Sequence, residues 1–215
     1  MRILIFLGLI LISIRLHAQG PHIKLGIEFS TDDITGERFI AQQTNGFDYT
    51  IIREETNYNF GLTTTISTQS KFSAQTGLMY SNKDFKNYEV CPACLSIIFP
   101  SPELIEQRFL TIPFILNYSF SESKLRPYLQ AGIVNNLGLS KDSDFTKMNL
   151  MEGQLGFGMA YAISPRVDLS VAYRYRTALS EVYNYQKINT QPSEDYDPNS
   201  YQTRSFSIGL NYSIN

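Results

Sequence analysis

Eight stretches of this chain alternate bulky apolar residues with small or polar ones, and the segments between them are long and short in turn. In Arg204-Ser205-Phe206-Ser207-Ile208-Gly209-Leu210-Asn211-Tyr212-Ser213-Ile214 the large side chains fall on every second position, and those between are Ser, Gly or Asn. A period of two is the period of a β-strand whose faces meet different surroundings. The pattern therefore demands an all-β fold in which every strand has one greasy and one fine-grained face.

The opening of the chain says where such a fold is built. Met1-Arg2 is a basic start, Ile3 to Ile14 is almost unbroken apolar sequence, Arg15 closes it, and Leu16-His17-Ala18 sets a small residue at a cleavage position. Residues 1–18 read as a secretory signal peptide, shorter in its apolar part than the roughly 20 residues of a membrane helix. No Cys lies near the cut, which argues against a lipid anchor there. Residues 19–215 are expected to form one domain. Two of the 18 basic residues leave with the leader while all 20 acidic ones remain, and this acidic balance argues against a nucleic-acid partner, which needs a basic face. No later stretch has the length of a membrane helix, so a mature chain that spans a membrane must do so as a closed barrel.

The strands can be walked one by one. The first sets Ile23, Leu25, Ile27 and Phe29 against Lys24, Gly26 and Glu28; the second sets Tyr58, Phe60, Leu62, Thr64 and Ile66 against Asn57, Asn59, Gly61, Thr63 and Thr65. The third carries Phe72, Ala74, Thr76, Leu78 and Tyr80 on one face, and the fourth, Phe109 to Phe120, carries Leu110, Ile112, Phe114, Leu116 and Tyr118. The fifth alternates Leu129, Ala131 and Ile133 with Gln130, Gly132 and Val134. The sixth places Leu155, Phe157, Met159, Tyr161 and Ile163 opposite Gln154, Gly156 and Gly158; the seventh places Val167, Leu169, Val171, Tyr173 and Tyr175 opposite Asp168, Arg174 and Arg176.

Long connections (31–55, 82–104, 140–149 and 180–202) alternate with tight turns at Gln69-Ser70-Lys71, Ser121-Glu122-Ser123-Lys124 and Ser164-Pro165-Arg166. This is the layout of an eight-stranded antiparallel up-and-down transmembrane β-barrel, with short periplasmic turns, long extracellular loops and a place in the cell outer membrane. A soluble lipocalin-like barrel shares the strand count but turns its apolar face inward. The polar face decides between them. A water-bathed exterior would be rich in Lys and Glu, whereas this face is mostly Gly, Ala, Ser, Thr, Asn and Gln. Aromatics near strand ends (Tyr58, Tyr80, Phe120, Tyr128, Tyr161, Tyr175 and Tyr212) suit the two interfacial girdles of a membrane barrel.

Phe109-Leu110-Thr111-Ile112-Pro113-Phe114-Ile115-Leu116-Asn117-Tyr118, then Arg126-Pro127-Tyr128-Leu129-Gln130-Ala131-Gly132, then the Ile163-Ser164-Pro165-Arg166 turn with its following Tyr-Arg-Tyr strand, resemble the PorT-like outer-membrane β-barrel family of Bacteroidetes. The resemblance runs along the whole mature chain in layout. It implies an outer-membrane barrel and, through the family's namesake, a part in protein secretion across that membrane. It assigns no residue a role.

An eight-stranded barrel is just wide enough to be filled by its own side chains, which disfavours a diffusion pore. Lys24, Glu28, Glu152, Asp168, Arg174 and Arg176 all fall on the inward face, where unpaired charge is costly, so pairing is expected. A turn centred on Pro165 sets Gln154 opposite Arg176 with Glu152 one diagonal away, within ion-pair reach. The expected polar network is Lys24, Glu28, Glu152, Gln154, Asp168, Arg174 and Arg176.

Cys91-Pro92-Ala93-Cys94 sits in the second long connection. Its spacing resembles a redox pair, but that chemistry needs a helix start in an α/β setting; a small loop disulfide between Cys91 and Cys94 is the plainer reading in an oxidising compartment, and a metal-binding or reactive role is the other. Ser193-Glu194-Asp195-Tyr196-Asp197-Pro198-Asn199 offers oxygen ligands without the spacing of a calcium loop. Arg108 and Arg204 fall at outer strand ends on the lipid side, placed to meet lipid phosphates or to snorkel. His22 is the one His left after leader removal and lies at the periplasmic end, so a His-based active site facing outward is not expected. The reading is a non-porin barrel, not an enzyme and without cofactors, that contacts outer-membrane lipids and serves a structural, adhesive or secretion-accessory role through its loops, with an envelope or secretion-machinery protein as partner. The alternative is a small-solute or lipid binding or transport barrel that uses its polar lumen.

Overall fold

The computed structural model describes residues 22–35, 39–42, 48–52, 56–67, 71–90, 103–139, 149–180, 191–192 and 202–214. Among these residues thirteen strands occur: β1 (His22–Thr35), β2 (Phe39–Gln42), β3 (Asp48–Ile52), β4 (Thr56–Ser67), β5 (Phe72–Asn82), β6 (Phe85–Val90), β7 (Glu103–Ile105), β8 (Arg108–Ser119), β9 (Leu125–Gly138), β10 (Asn149–Ser164), β11 (Val167–Ala178), β12 (Gln191–Pro192) and β13 (Gln202–Ser213). Eight of them close a barrel in the order β1-β13-β11-β10-β9-β8-β5-β4, every neighbouring pair antiparallel. These are the eight strands expected from the alternation. The expected leader, Cys91, Cys94 and the acidic stretch 193–199 lie outside the described residues.

Burial follows the period of two. Along β13, Phe206, Ile208, Leu210 and Tyr212 are exposed, while Thr203, Ser205 and Ser207 are buried. Leu62 on β4 is 65% exposed and Phe157 on β10 is 61% exposed, as far from a soluble core as bulky residues can be. A belt of such residues round every barrel strand exceeds any patch a soluble monomer tolerates. Hydrocarbon is the solvent that accepts it, and closure leaves no backbone edge unpaired in that layer. The fine-grained face is sealed inside, which excludes the lipocalin arrangement.

Aromatic contacts occur toward both ends of the wall and, with Phe157 on Tyr173, in its middle. Phe60 packs on Tyr80 with centroids 5.4 Å apart near the long-loop end, and Tyr118 on Phe120 at 5.2 Å near the short-turn end. Tyr128 corrects the girdle expected from sequence. It shares the phase of Gln130 on β9 and turns into the lumen, where its ring occupies the space beside Gly158.

Two further features differ from the sequence reading. β1 continues to Thr35, paired with β13 throughout, whereas Thr31-Asp32-Asp33 reads as loop by composition. The extension carries Asp32 and Ile34 into the interior, each 1% exposed. Three of the four long connections also contribute strands to a second sheet, ordered β12-β2-β3-β6-β7. The connections are thus partly built structure beyond the barrel rim.

Candidate functional site: the barrel interior

The inward face stacks its charges in tiers, and strand register sets which residues share a tier. Nearest the short turns, Lys24 Nζ lies 2.6 Å from Asp168 Oδ2 and Arg126 Nη2 lies 2.5 Å from Asp168 Oδ1. In the middle, Arg174 on β11 forms a two-pronged pair with Glu28 on β1, one prong measuring 2.9 Å. Arg174 Nε also donates to Gln130 Oε1 at 2.9 Å, and Gln75 Nε2 donates to Glu28 Oε2 at 3.3 Å. A guanidinium fork matched to a carboxylate is the geometry that best repays desolvation of both ions.

The third tier is the most sequestered. Arg176 Nη2 donates to both Asp32 oxygens at 3.0 Å, Ser205 Oγ donates to Asp32 Oδ1 at 2.7 Å, and Asn59 Nδ2 donates to Oδ2 at 2.5 Å. Arg176 Nη1 stands 3.7 Å from Glu152 Oε2. Glu152 also accepts Asn136 Nδ2 at 2.8 Å and Lys83 Nζ at 3.1 Å. Two cations and two carboxylates thus balance in a site closed to water, the arrangement in which buried charge is tolerable.

Lys83 does not belong to a strand. The segment after β5 is folded inward by Asp84, whose backbone N–H donates to Asn57 Oδ1 at 2.7 Å and whose Oδ1 accepts the Gln107 N–H at 2.9 Å. Lys83 N–H donates to Gln107 O at 3.0 Å. Above the charges, Ile34, Phe85, Phe109 and Leu150 are all buried and form an apolar lid. The order along the axis is therefore lid, ionic quartet, Arg174–Glu28 pair, and a polar cup.

That cup is a cavity of about 100 Å³ to which all eight barrel strands contribute, with Lys24, Arg126, Asp168, Tyr128 and Asn117 in its wall. A second space of about 20 Å³ separates Arg174 from Arg176. The cup lies toward the short-turn end, and toward the long-loop end the described interior residues are buried.

Of the seven residues picked from sequence, the structure places all on the inner wall. It brings Lys24 to Asp168, Glu28 to Arg174 and Glu152 to Arg176. Gln154 stands opposite Arg176 in the register, and its Nε2 has no hydrogen-bond partner among the described residues. Sequence reasoning missed Asp32, Lys83 and Arg126. Asp32 is in phase with Lys24 and Glu28, and Arg126 with Gln130, so the same period could have found both; Lys83 lies beyond any strand phase. Arg108, expected at an outer strand end to meet lipid phosphates or to snorkel, pairs with Asp84 and, at 3.2 Å, with Glu106. Arg204 is exposed on the outer wall. Among the described residues no group of three or more His, Cys, Asp or Glu could hold a metal ion.

The description of an outer membrane protein beta-barrel domain fits residues 4–213 of the sequence. The chain belongs to that family. This outer-membrane barrel resides in the outer membrane, as its belt of exposed apolar side chains requires. No curated protein matches it in sequence. In fold it is similar to outer membrane protein AlkL, solved in DMPC lipid bilayers, at 16% identity and a TM-score of 0.57 over 92% of this chain and 93% of that one. It is also similar to Neisserial surface protein A, at 16% identity and 0.55 over 91% and 100%, and to OprG from Pseudomonas aeruginosa, at 13% and 0.53 over 90% and 96%. At such identities the likeness concerns the fold.

Proposed function

We propose that this outer-membrane barrel is a closed, non-enzymatic scaffold that holds its long connections and their second sheet outside the cell for an adhesive or secretion-accessory contact. The supporting observation is the seal at the loop end of the lumen. Phe85 and Lys83 are both wholly buried, one in the lid and one on Glu152, which supports a lumen closed at that end among the described residues. A wall explained by lipid and an interior explained by ion pairing leave the connections as the part free to recognise a partner. The resemblance to PorT-like barrels points the same way and favours an envelope or secretion-machinery protein. Residues 1–18 act as the export leader in this reading.

Reconstituted into planar bilayers, the barrel is expected to show no defined conductance, and cross-linking at loop positions in intact cells is expected to capture a discrete envelope protein. A reproducible conductance or solute flux that disappears in Arg176→Ala would defeat the scaffold reading and support solute transport through the polar lumen.

A further inference from the structure

The lower half of the lumen has a charge imbalance that its own side chains leave standing. Asp168 is a single carboxylate shared by two cations, Lys24 at 2.6 Å and Arg126 at 2.5 Å. Immediately above, Arg174 and Glu28 neutralise each other. The cavity of about 100 Å³ between these layers therefore carries one positive charge in excess. It is confined by low-dielectric walls, where an unbalanced charge acts more strongly than in water.

The polar donors of the cup also make few or long contacts. Arg126 Nη2 is buried against Asp168 Oδ1, on the same carboxylate that holds Lys24. Tyr128 Oη makes one long bond, 3.4 Å to Val171 O, and Asn117 Nδ2 one of 3.5 Å to Gln75 Oε1. These donors line a space that can take a few heavy atoms; a cavity of about 150 Å³ accepts benzene.

We propose that this cup binds a small oxyanion, a carboxylate or phosphate group entering from the periplasm, with Lys24 and Arg126 as charge partners and Tyr128 and Asn117 as neutral donors. Asp168 presets both cations and leaves one charge for the ligand. The volume excludes a whole sugar or nucleotide from the deep position. The lid and quartet make the site a dead end, so it binds without conducting, and it is separate from any role of the external connections.

The mature barrel, refolded in detergent micelles, is titrated with sodium acetate, sodium phosphate or sodium chloride at matched ionic strength while backbone amide shifts on β1 and β9 are followed by NMR. The expected result is saturation near Lys24 and Arg126 with acetate or phosphate, about tenfold weaker in Arg126→Gln, as the loss of a charge-assisted contact implies, and unchanged in Arg204→Gln on the outer wall. Saturation by acetate alone identifies a carboxylate ligand, and by phosphate alone a phosphate ligand. Heat-modifiable gel mobility reports folding, and Lys24→Gln replaces Arg126→Gln if the latter does not fold. Shifts that follow ionic strength equally in chloride, or saturation in a folded Arg126→Gln or Lys24→Gln equal to that of the unaltered barrel, overturn the proposal.

Discussion

Lys83 Nζ rests 3.1 Å from Glu152 Oε1, so a residue outside the strands completes an ionic quartet inside the barrel. The contact joins the inward-folded segment after β5 to the opposite wall on β10, and neither side chain meets solvent. It ties closure of the lumen to the path of an external connection.

Breaking that contact from one side strands a charge. Lys83→Met is expected to destabilise the folded barrel by about 3–5 kcal/mol, because Glu152 and Asp32 then share Arg176 alone. Lys83→Met combined with Glu152→Gln should recover much of the loss. Urea unfolding of the three proteins in lipid vesicles measures both numbers, and a double variant no better than the single would show that charge balance is not the cause.

The lumen is expected to be accessible from one end only. In a background with Cys91 and Cys94 replaced by Ser, a Cys at Ser73, which lines the cup, should react with a membrane-impermeant thiol reagent admitted to the periplasm. A Cys at Val134, 2% exposed in the interior, should not react from either side. Mass spectrometry of the labelled protein reads the outcome, and equal labelling of both would contradict the seal.

Gly158 is a position where a lumen aromatic ring leaves no room for a side chain. A Cβ placed there would stand 2.5 Å from the Tyr128 ring and 2.6 Å from Val171 O, below any real contact distance. Gly158→Val should cost about 1–3 kcal/mol by overpacking. Adding Tyr128→Ala should relieve the part due to the ring and leave the part due to the backbone. The folded fraction on unheated gels resolves the two.

The outer wall should respond by depth. Phe157→Arg, near the middle of β10, is expected to cost about 2–4 kcal/mol, and Ile163→Arg, close to the Pro165 turn, about 0–1 kcal/mol. Equal penalties in vesicle unfolding would mean that Phe157 does not face the hydrocarbon centre.

The wall of this protein was legible residue by residue. Leu155, Phe157 and Met159 declare their face through the Gly residues between them, and even the register of Gln154 with Arg176 follows from a turn at Pro165. Across a single turn a partner was legible too, Glu152 with Arg176; for the rest the interior was legible only as a set of inward charges, because phase says which way a side chain points and not which distant strand it meets. Asp32 escaped because Thr31-Asp32-Asp33 has loop composition, yet its backbone is held on both sides by β13 and β4. Tyr128 was misplaced by counting an aromatic near a strand end without checking its phase. Lys83 carried no signal at all, since its position depends on how Asp84 pins the chain.

By itself the amino-acid order determined strand phase, the number of barrel strands, the exchange of inside for outside and the membrane address, because alternation is a property of neighbouring residues and hydrocarbon selects among closed barrels. Pairing between strands distant in sequence was decided by closure. Glu28 meets Arg174 across 146 positions of sequence and Lys83 meets Glu152 across 69. Contacts at that separation exist only once eight strands have curled round a common axis and brought their inner faces within a few ångströms of one another.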